Sequence, residues 1–206
     1  MAFCNDQSGC NERVCIRAKK VYDACKKQVS QTQLLVNITN VTPPNPTSPL
    51  KFVSGKSTST KGIVENLVVE RLIDRPQYGR VQCDVIIPFE VIYLDANNVE
   101  GTGIGTVTVP VDVVMYLPEA SIMPYQIEAS VSAVSPDGVY SQTVIIDEVV
   151  YYCFVISCCS TVIVMVTIDV ELIVPTYGYA VIPPCQDYSD EVCTGFFDLP
   201  LYPNQQ

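Results

Sequence analysis

Hydrophobic and polar positions alternate along much of this chain, and the alternation predicts strands. In RVQCDVIIPFEVIYLD, the residues Val81, Cys83, Val85, Ile87, Phe89, Val91 and Tyr93 share one parity, with Gln82, Asp84 and Glu90 on the other. In GTVTVPVDVVMYLP, Val107, Val109, Val111, Val113, Met115 and Leu117 alternate with Thr106, Thr108 and Asp112. A sheet with one buried face produces this pattern. Each segment carries a proline on the non-core parity, Pro88 and Pro110. A mid-strand proline belongs on an edge or at a bulge. The two segments form a weak internal echo, read as two bent strands of similar role. The connection ANNVEGTGIG between them is read as turn-rich, with GTGIG at 101–105 as a hairpin turn.

The same reading extends to the rest of the chain. LLVNITNV predicts a strand stopped by the proline-rich TPPNPTSP, and SGKSTSTKG a polar loop. IVENLVVERLI fits strand and helix alike. YQIEASVSAV, VYSQTVIIDEVVYYCFVI and STVIVMVTIDVELIV predict further strands, with turns at SPDG and near SCCS. From Val162 to Val174 apolar residues occupy every second position, straight through Asp169 and Glu171. The N-terminal stretch is different. Val14, Ala18, Val21, Ala24 or Cys25, and Gln28 fall at spacings of three and four, which allows a short amphipathic helix; an extended arm is the alternative. The expectation is an all-β protein, an antiparallel β-sandwich or jelly roll. Its parts are an N-terminal Cys-rich arm or short helix (1–33), a sandwich (34–182) and a proline- and cysteine-containing tail (183–206).

Residues 149–168 run for 20 positions without a charge, long enough for a membrane helix. The β-branched content, the flanking Asp147, Glu148, Asp169 and Glu171, and the period of two argue for strands instead. No membrane partner is expected.

Composition narrows function by exclusion. The net charge is -10, with 12 Lys and Arg against 22 Asp and Glu, which disfavours nucleic acid as a partner. The basic residues cluster early, at Arg13, Arg17, Lys19, Lys20, Lys26 and Lys27. They read as a solvated face, or as an end that attracts the acidic body of another copy. The chain has no histidine, so it cannot supply a Ser-His-Asp or Cys-His nucleophile. GKST at 55–58 lacks the earlier glycine of a phosphate loop, since Leu50 stands there. Asn37 and Asn40 fit the glycosylation pattern, but a strand accounts for their threonines. The acids Asp147, Glu148, Asp169 and Glu171 read as a solvated sheet face rather than a general acid and base, and lack a calcium-loop signature. No enzyme activity, cofactor or metal is expected.

The 10 cysteines are the unusual feature. They form no CxxC, which argues against a zinc ribbon or a thioredoxin-type site. Cys83 has core parity and reads as a buried free thiol, and Cys153 also sits on a strand. The rest fall in the ends or at SCCS. Two residues precede the initial Cys-rich stretch after Met1, too few for a secretion signal, so the expectation is synthesis without export and oxidation later. A domain of this length has an adequate core without disulfides, so thiols at its ends and in a turn are placed to meet other chains. Cys4, Cys10, Cys15 and Cys25 are the candidates for intermolecular bonds, with Cys158, Cys159, Cys185 and Cys193 as acceptors.

KVYDACKKQ at 20–28, preceded by CIRA, resembles the cysteine-flanked KVYD segment near the start of cysteine-rich clostridial spore proteins. VQCDVIIPFEVIYLDANNVEGTGIGTVTVPVDVVMYLP resembles the β-domain of spore-coat assembly proteins. VELIVPTYGYAVIPPC, followed by FFDLPLYP, is similar to the same group. The resemblance implies a structural protein of the spore coat, exosporium or an appendage. It would be made in the mother cell without a signal peptide, would assemble with itself and with other spore-surface proteins, and would become disulfide cross-linked on the spore. The alternative is a non-polymerising coat adaptor with intramolecular disulfides.

Overall fold

The computed structural model describes residues 13–175, and all of their regular structure is β-strand. Seven strands form one antiparallel sheet: β1 (Arg13–Thr42), β2 (Lys51–Ser57), β3 (Lys61–Arg71), β4 (Tyr78–Leu94), β5 (Glu100–Tyr116), β6 (Gln126–Ile146) and β7 (Val149–Pro175). The chain divides into a compact body, Lys19–Asp169, and a smaller unit of Met1–Ala18 with Val170–Gln206. The described parts of the smaller unit, 13–18 and 170–175, are strand ends. The expected boundary at residue 33 falls inside β1, whose residues from Lys19 onward belong to the body. The expected boundary at 182 lies outside the described residues.

Within the body the sheet closes on itself, giving an all-β, sandwich-like fold around one interior. β4 pairs with β5 along its whole length, from Tyr78↔Tyr116 to Leu94↔Glu100. Its other edge is shared end to end, by β2 against Phe89–Leu94 and by β3 against Gly79–Ile86. β2 and β3 both reach β6, β6 pairs with β7, and β1 lies between β7 and β5. Strands β3, β4 and β5 are successive hairpins, and β6 returns beside β3, in the spatial order of a Greek key.

The core parity read from β4 and β5 is the interior parity. Val81, Val85, Ile87, Phe89, Val91 and Tyr93 are fully buried, with Val107, Val109, Val111 and Met115 beside them on β5. β7 contributes Phe154, Ile156, Cys158, Val162, Val164 and Val166, all on one parity. Phe154 anchors one end of the core, with ring centroids 6.0 Å from Phe52, 6.3 Å from Tyr93 and 5.7 Å from Tyr140.

The prolines stand where the ladder does not need them. Pro88 sits at the break between β2 and β3, where its carbonyl accepts from Thr58 N at 3.0 Å. Pro110 faces β1, where side chains replace the main-chain ladder. Lys27 Nζ donates to Pro110 O (2.6 Å), Gln31 Nε2 to Thr108 O (3.5 Å), and Tyr116 N to Asp23 Oδ2 (2.7 Å). Backbone pairing of β1 with β5 is confined to Thr39↔Ile104 and Thr42↔Thr102.

One open alternative is decided, for the extended form, and four local expectations are corrected. Residues 13–29 are strand, not helix. Half-burial falls on alternate residues from Asp23 to Gln31, and the parity then switches at Gln33 and again at Asn40, both at positive φ (58° and 48°). GTGIG is strand rather than turn. Its glycines point inward because neighbours leave no room: a Cβ at Gly103 would lie 2.4 Å from Ile38 Cδ1, and one at Gly105 2.8 Å from Asn37 O. SPDG is a bulge in β6, between Val134 and Asp137, across which Ser135 Oγ donates to Asp137 O and Ser157 O. SCCS lies mid-strand in β7, and the β6–β7 turn is Asp147-Glu148, both at positive φ (48° and 66°), as a two-residue primed hairpin turn requires. SGKS belongs to β2, leaving only 58–60 as the loop before β3.

Candidate functional site

The strand assignment of SCCS separates its two cysteines. Neighbouring residues on a strand point to opposite faces. Cys158 faces the interior at 1% exposure, with its sulfur 3.4 Å from Ser160 Oγ. Burial raises its thiol pKa, so it is held as the neutral thiol. Cys159 faces outward and is exposed. It sits opposite Val134 on β6, itself 53% exposed, and its sulfur lies 4.0 Å from Ser30 Oγ on β1. The outer surface around this thiol carries Ser30, Val134, Ser157 and Thr161, with the exposed Asp137 across from Ser157 on β6.

The other thiols fall into the same two classes. Cys15, on β1, is exposed. Cys83 and Cys153 are buried, and burial raises the pKa of both. Cys25, on β1, is half-buried; burial, and after it the charge of Asp23, raises its pKa. None of these six is in a disulfide. The assignment of Cys83 as a buried free thiol agrees with its place in the core. Cys158, expected in a turn as a cross-link acceptor, is instead enclosed in the core, and Cys25 is partly enclosed, so of these expected cross-link residues Cys15 and Cys159 present their sulfur to solvent. Cys4, Cys10, Cys185 and Cys193 lie outside the described residues.

A surface cleft of about 420 Å³ opens beside Cys83, lined by Lys27, Asn66, Gln82, Asp84, Pro110 and Asp112. Its polar groups are paired within the chain. Asn66 Nδ2 donates to Asp84 Oδ2 (2.8 Å), Arg80 Nε to Asp112 Oδ1 (2.8 Å), and Gln82 Nε2 to Asp112 Oδ2 (3.2 Å). The Arg80 hydrogen bond holds the Asp112 carboxyl below its ordinary range. The basic cluster of β1 is partly engaged in the same way, with Lys19 ion-paired to Glu128 and Lys20 over the Tyr22 ring at 4.5 Å. Among the described residues no group of three or more His, Cys, Asp or Glu is placed to hold a metal ion, and no helix is long and apolar enough to cross a membrane.

The arrangement offers thiol chemistry at a rigid outer surface. An exposed sulfur on a central strand exchanges with a disulfide or couples with a second thiol under an oxidant, while the buried sulfurs are shielded from both. Sequence parity identified Cys83 but not the division between Cys158 and Cys159, since that division depends on SCCS being strand. Comparison with known protein families, with curated proteins and with solved structures found no match.

Proposed function

We propose that this chain is a self-assembling structural subunit whose copies are joined by intermolecular disulfides, in a spore-surface layer or appendage. The observation that carries the reading is the state of the described thiols: all six are unpaired within the chain, and Cys15 and Cys159 are exposed. The closed sheet has its own core, so it needs no internal disulfide for stability. A bond between chains gives an assembly that dilution does not dissolve. The spore-surface setting rests on the resemblance of KVYDACKKQ and of the YGY-to-PPC segment to cysteine-rich spore proteins. In that setting the subunit is made reduced and oxidised after assembly.

The test is electrophoresis of oxidised protein with and without thiol. A ladder that survives boiling without thiol and collapses with it supports the reading. A monomer band in both lanes overturns it and favours the adaptor with internal disulfides.

A further inference from the structure

Among the described residues, β6 and β3 each leave part of one edge without a strand partner, at opposite ends of β6. The first is at the tip of the β6–β7 hairpin. β6 contacts β2 through the main chain only at Val134 and Ser135, so from Ser141 to Ile146 its outer edge has no strand partner among the described residues. The tip is apolar on both faces: Ile145 pairs with Val150 and Ile146 with Val149, at 69%, 37%, 51% and 44% exposure. From Gly138 to Ile146 there is no charge and no proline, so nothing there blocks edge pairing. Asp147 and Glu148 cap the turn.

The second edge belongs to β3. It pairs with β4 from Ile63 to Arg71, but with β6 only at Lys61↔Ser130 and Gly62↔Ala129. Beyond Gly62 the two strands part. The split between them is a cleft of about 620 Å³, lined among others by Lys61, Ile63, Val64, Pro88 and Ile127. Exposed Ile63, Leu67 and Val68 continue along the open edge. Lys61 stands where the strands part, and it forms no ion pair among the described residues. Glu128, also on the wall, is ion-paired to Lys19 and also feels the charge of Lys61.

We infer that the hairpin tip of one copy inserts into the β3–β6 split of the next, adding its β6 edge to the open edge of β3. The occupant is a second copy because the two surfaces match in kind. An uncharged apolar edge meets an open strand edge that carries Ile63, Leu67 and Val68, and the acidic turn meets Lys61. Seating Asp147 and Glu148 at Lys61 makes the two edges antiparallel, with Ile146 near Ile63 and regular pairing running to Glu65, where the β3 bulge at Asn66 begins. Within a subunit β3 is antiparallel to β6. The incoming β6 is therefore parallel to the β6 of its acceptor, and successive copies point the same way. Tip and split lie roughly 50–60 Å apart along one strand, at about 3.3 Å per residue. A contact between two different surfaces does not close as a two-fold dimer; it propagates as a filament or a ring. This inference rests on the self-assembly reading above and supplies the non-covalent contact that disulfides would then lock.

The test uses the full chain in reductant, so that disulfides play no part. Sedimentation velocity should show a concentration-dependent series of end-to-end species for the unaltered chain. Ile145→Asp with Ile146→Asp removes the tip, and Leu67→Asp with Val68→Asp removes the split. Each variant alone should lose every species above monomer while its circular dichroism stays unchanged. Mixed in equal amounts, they should form dimers and stop, since one good tip and one good split remain. Lys61→Glu should also abolish assembly, and mixing it with Asp147→Lys should restore end-to-end species of alternating composition, since the native and the swapped charge pairs both form. A monomeric unaltered chain, a tip variant that still polymerises, or a variant mixture that stays monomeric overturns the inference. A thiol-sensitive ladder from oxidised protein that is monomeric in reductant would overturn this contact and leave the disulfide reading standing.

Discussion

Cys158 and Cys159 are adjacent in sequence and predicted to differ in every consequence of substitution. Cys158→Ser places a hydroxyl in the core at 1% exposure, among the apolar neighbours that raise the thiol pKa. A buried hydroxyl without a partner costs about 1–3 kcal/mol. Ser160 Oγ, 3.4 Å from the present sulfur, offers one hydrogen bond, which holds the expected loss to roughly 1–2 kcal/mol. For a body of this size that lowers Tm by roughly 2–8 °C. Cys159→Ser changes an exposed outer-face atom and should move stability by no more than about 0.5 kcal/mol. Cross-linking should respond in the reverse sense: Cys159→Ser shortens the thiol-sensitive ladder, with Cys15 still present, and Cys158→Ser leaves it intact at temperatures where the variant is folded. The assay is a thermal melt in reductant paired with a non-reducing gel. A ladder lost in Cys158→Ser and kept in Cys159→Ser would refute the assignment of faces, and with it the reading of SCCS as continuous strand.

Native alkylation should modify Cys15 and Cys159 quickly and Cys83, Cys153 and Cys158 only on unfolding, as read by peptide mass mapping; rapid labelling of Cys158 would contradict its burial. Gly105→Val should destabilise strongly, because its Cβ would lie 2.8 Å from the Asn37 carbonyl, a backbone atom that cannot swing aside; a melt unchanged from the parent would count against the close approach of β1 to β5. Tyr93→Phe removes a buried hydroxyl with no partner among the described residues and should leave Tm unchanged or raise it. Acid should unfold the protein through its lowered carboxyls. Asp95 is held down first by Val99 N, Asp112 by Arg80 and Glu128 by Lys19. Such groups stabilise the fold above the ordinary carboxyl pKa of roughly 4, and that contribution is lost as pH falls through their lower folded values. Asp95→Ala should therefore flatten the acid limb of a pH–stability curve, and an unchanged limb would show that the turn bonds do not matter.

Strands β4 and β5 were legible because both run for many residues without a parity change and one face is wholly buried. β1 was not, because Gln33 and Asn40 at positive φ each shift the parity and break one long strand into pieces too short to show a period. Glycine misled at GTGIG: the residues are there for close approach of Ile38, Asn37 and Tyr93, not for a turn. The true β6–β7 turn uses Asp147-Glu148, without the glycine or asparagine that marks such turns in sequence. The bulge at SPDG carries turn residues yet keeps β6 continuous. Those local errors propagated to the candidate site, since a turn at SCCS would expose both thiols and a strand exposes one. Closure of the sheet by β1 between β5 and β7 depends on pairings between residues far apart in the chain, which local patterning does not encode.

The most direct measurement of covalent joining mixes copies of two isotopic compositions. Uniformly 15N-labelled and unlabelled chains are combined in reductant, oxidised together, digested without thiol and read by mass spectrometry. Bridges between chains predict disulfide-linked peptides of hybrid isotope composition, with the Cys159 peptide prominent among them. Bridges whose two peptides always share one composition would show that every disulfide closes within its own chain, and would contradict the account.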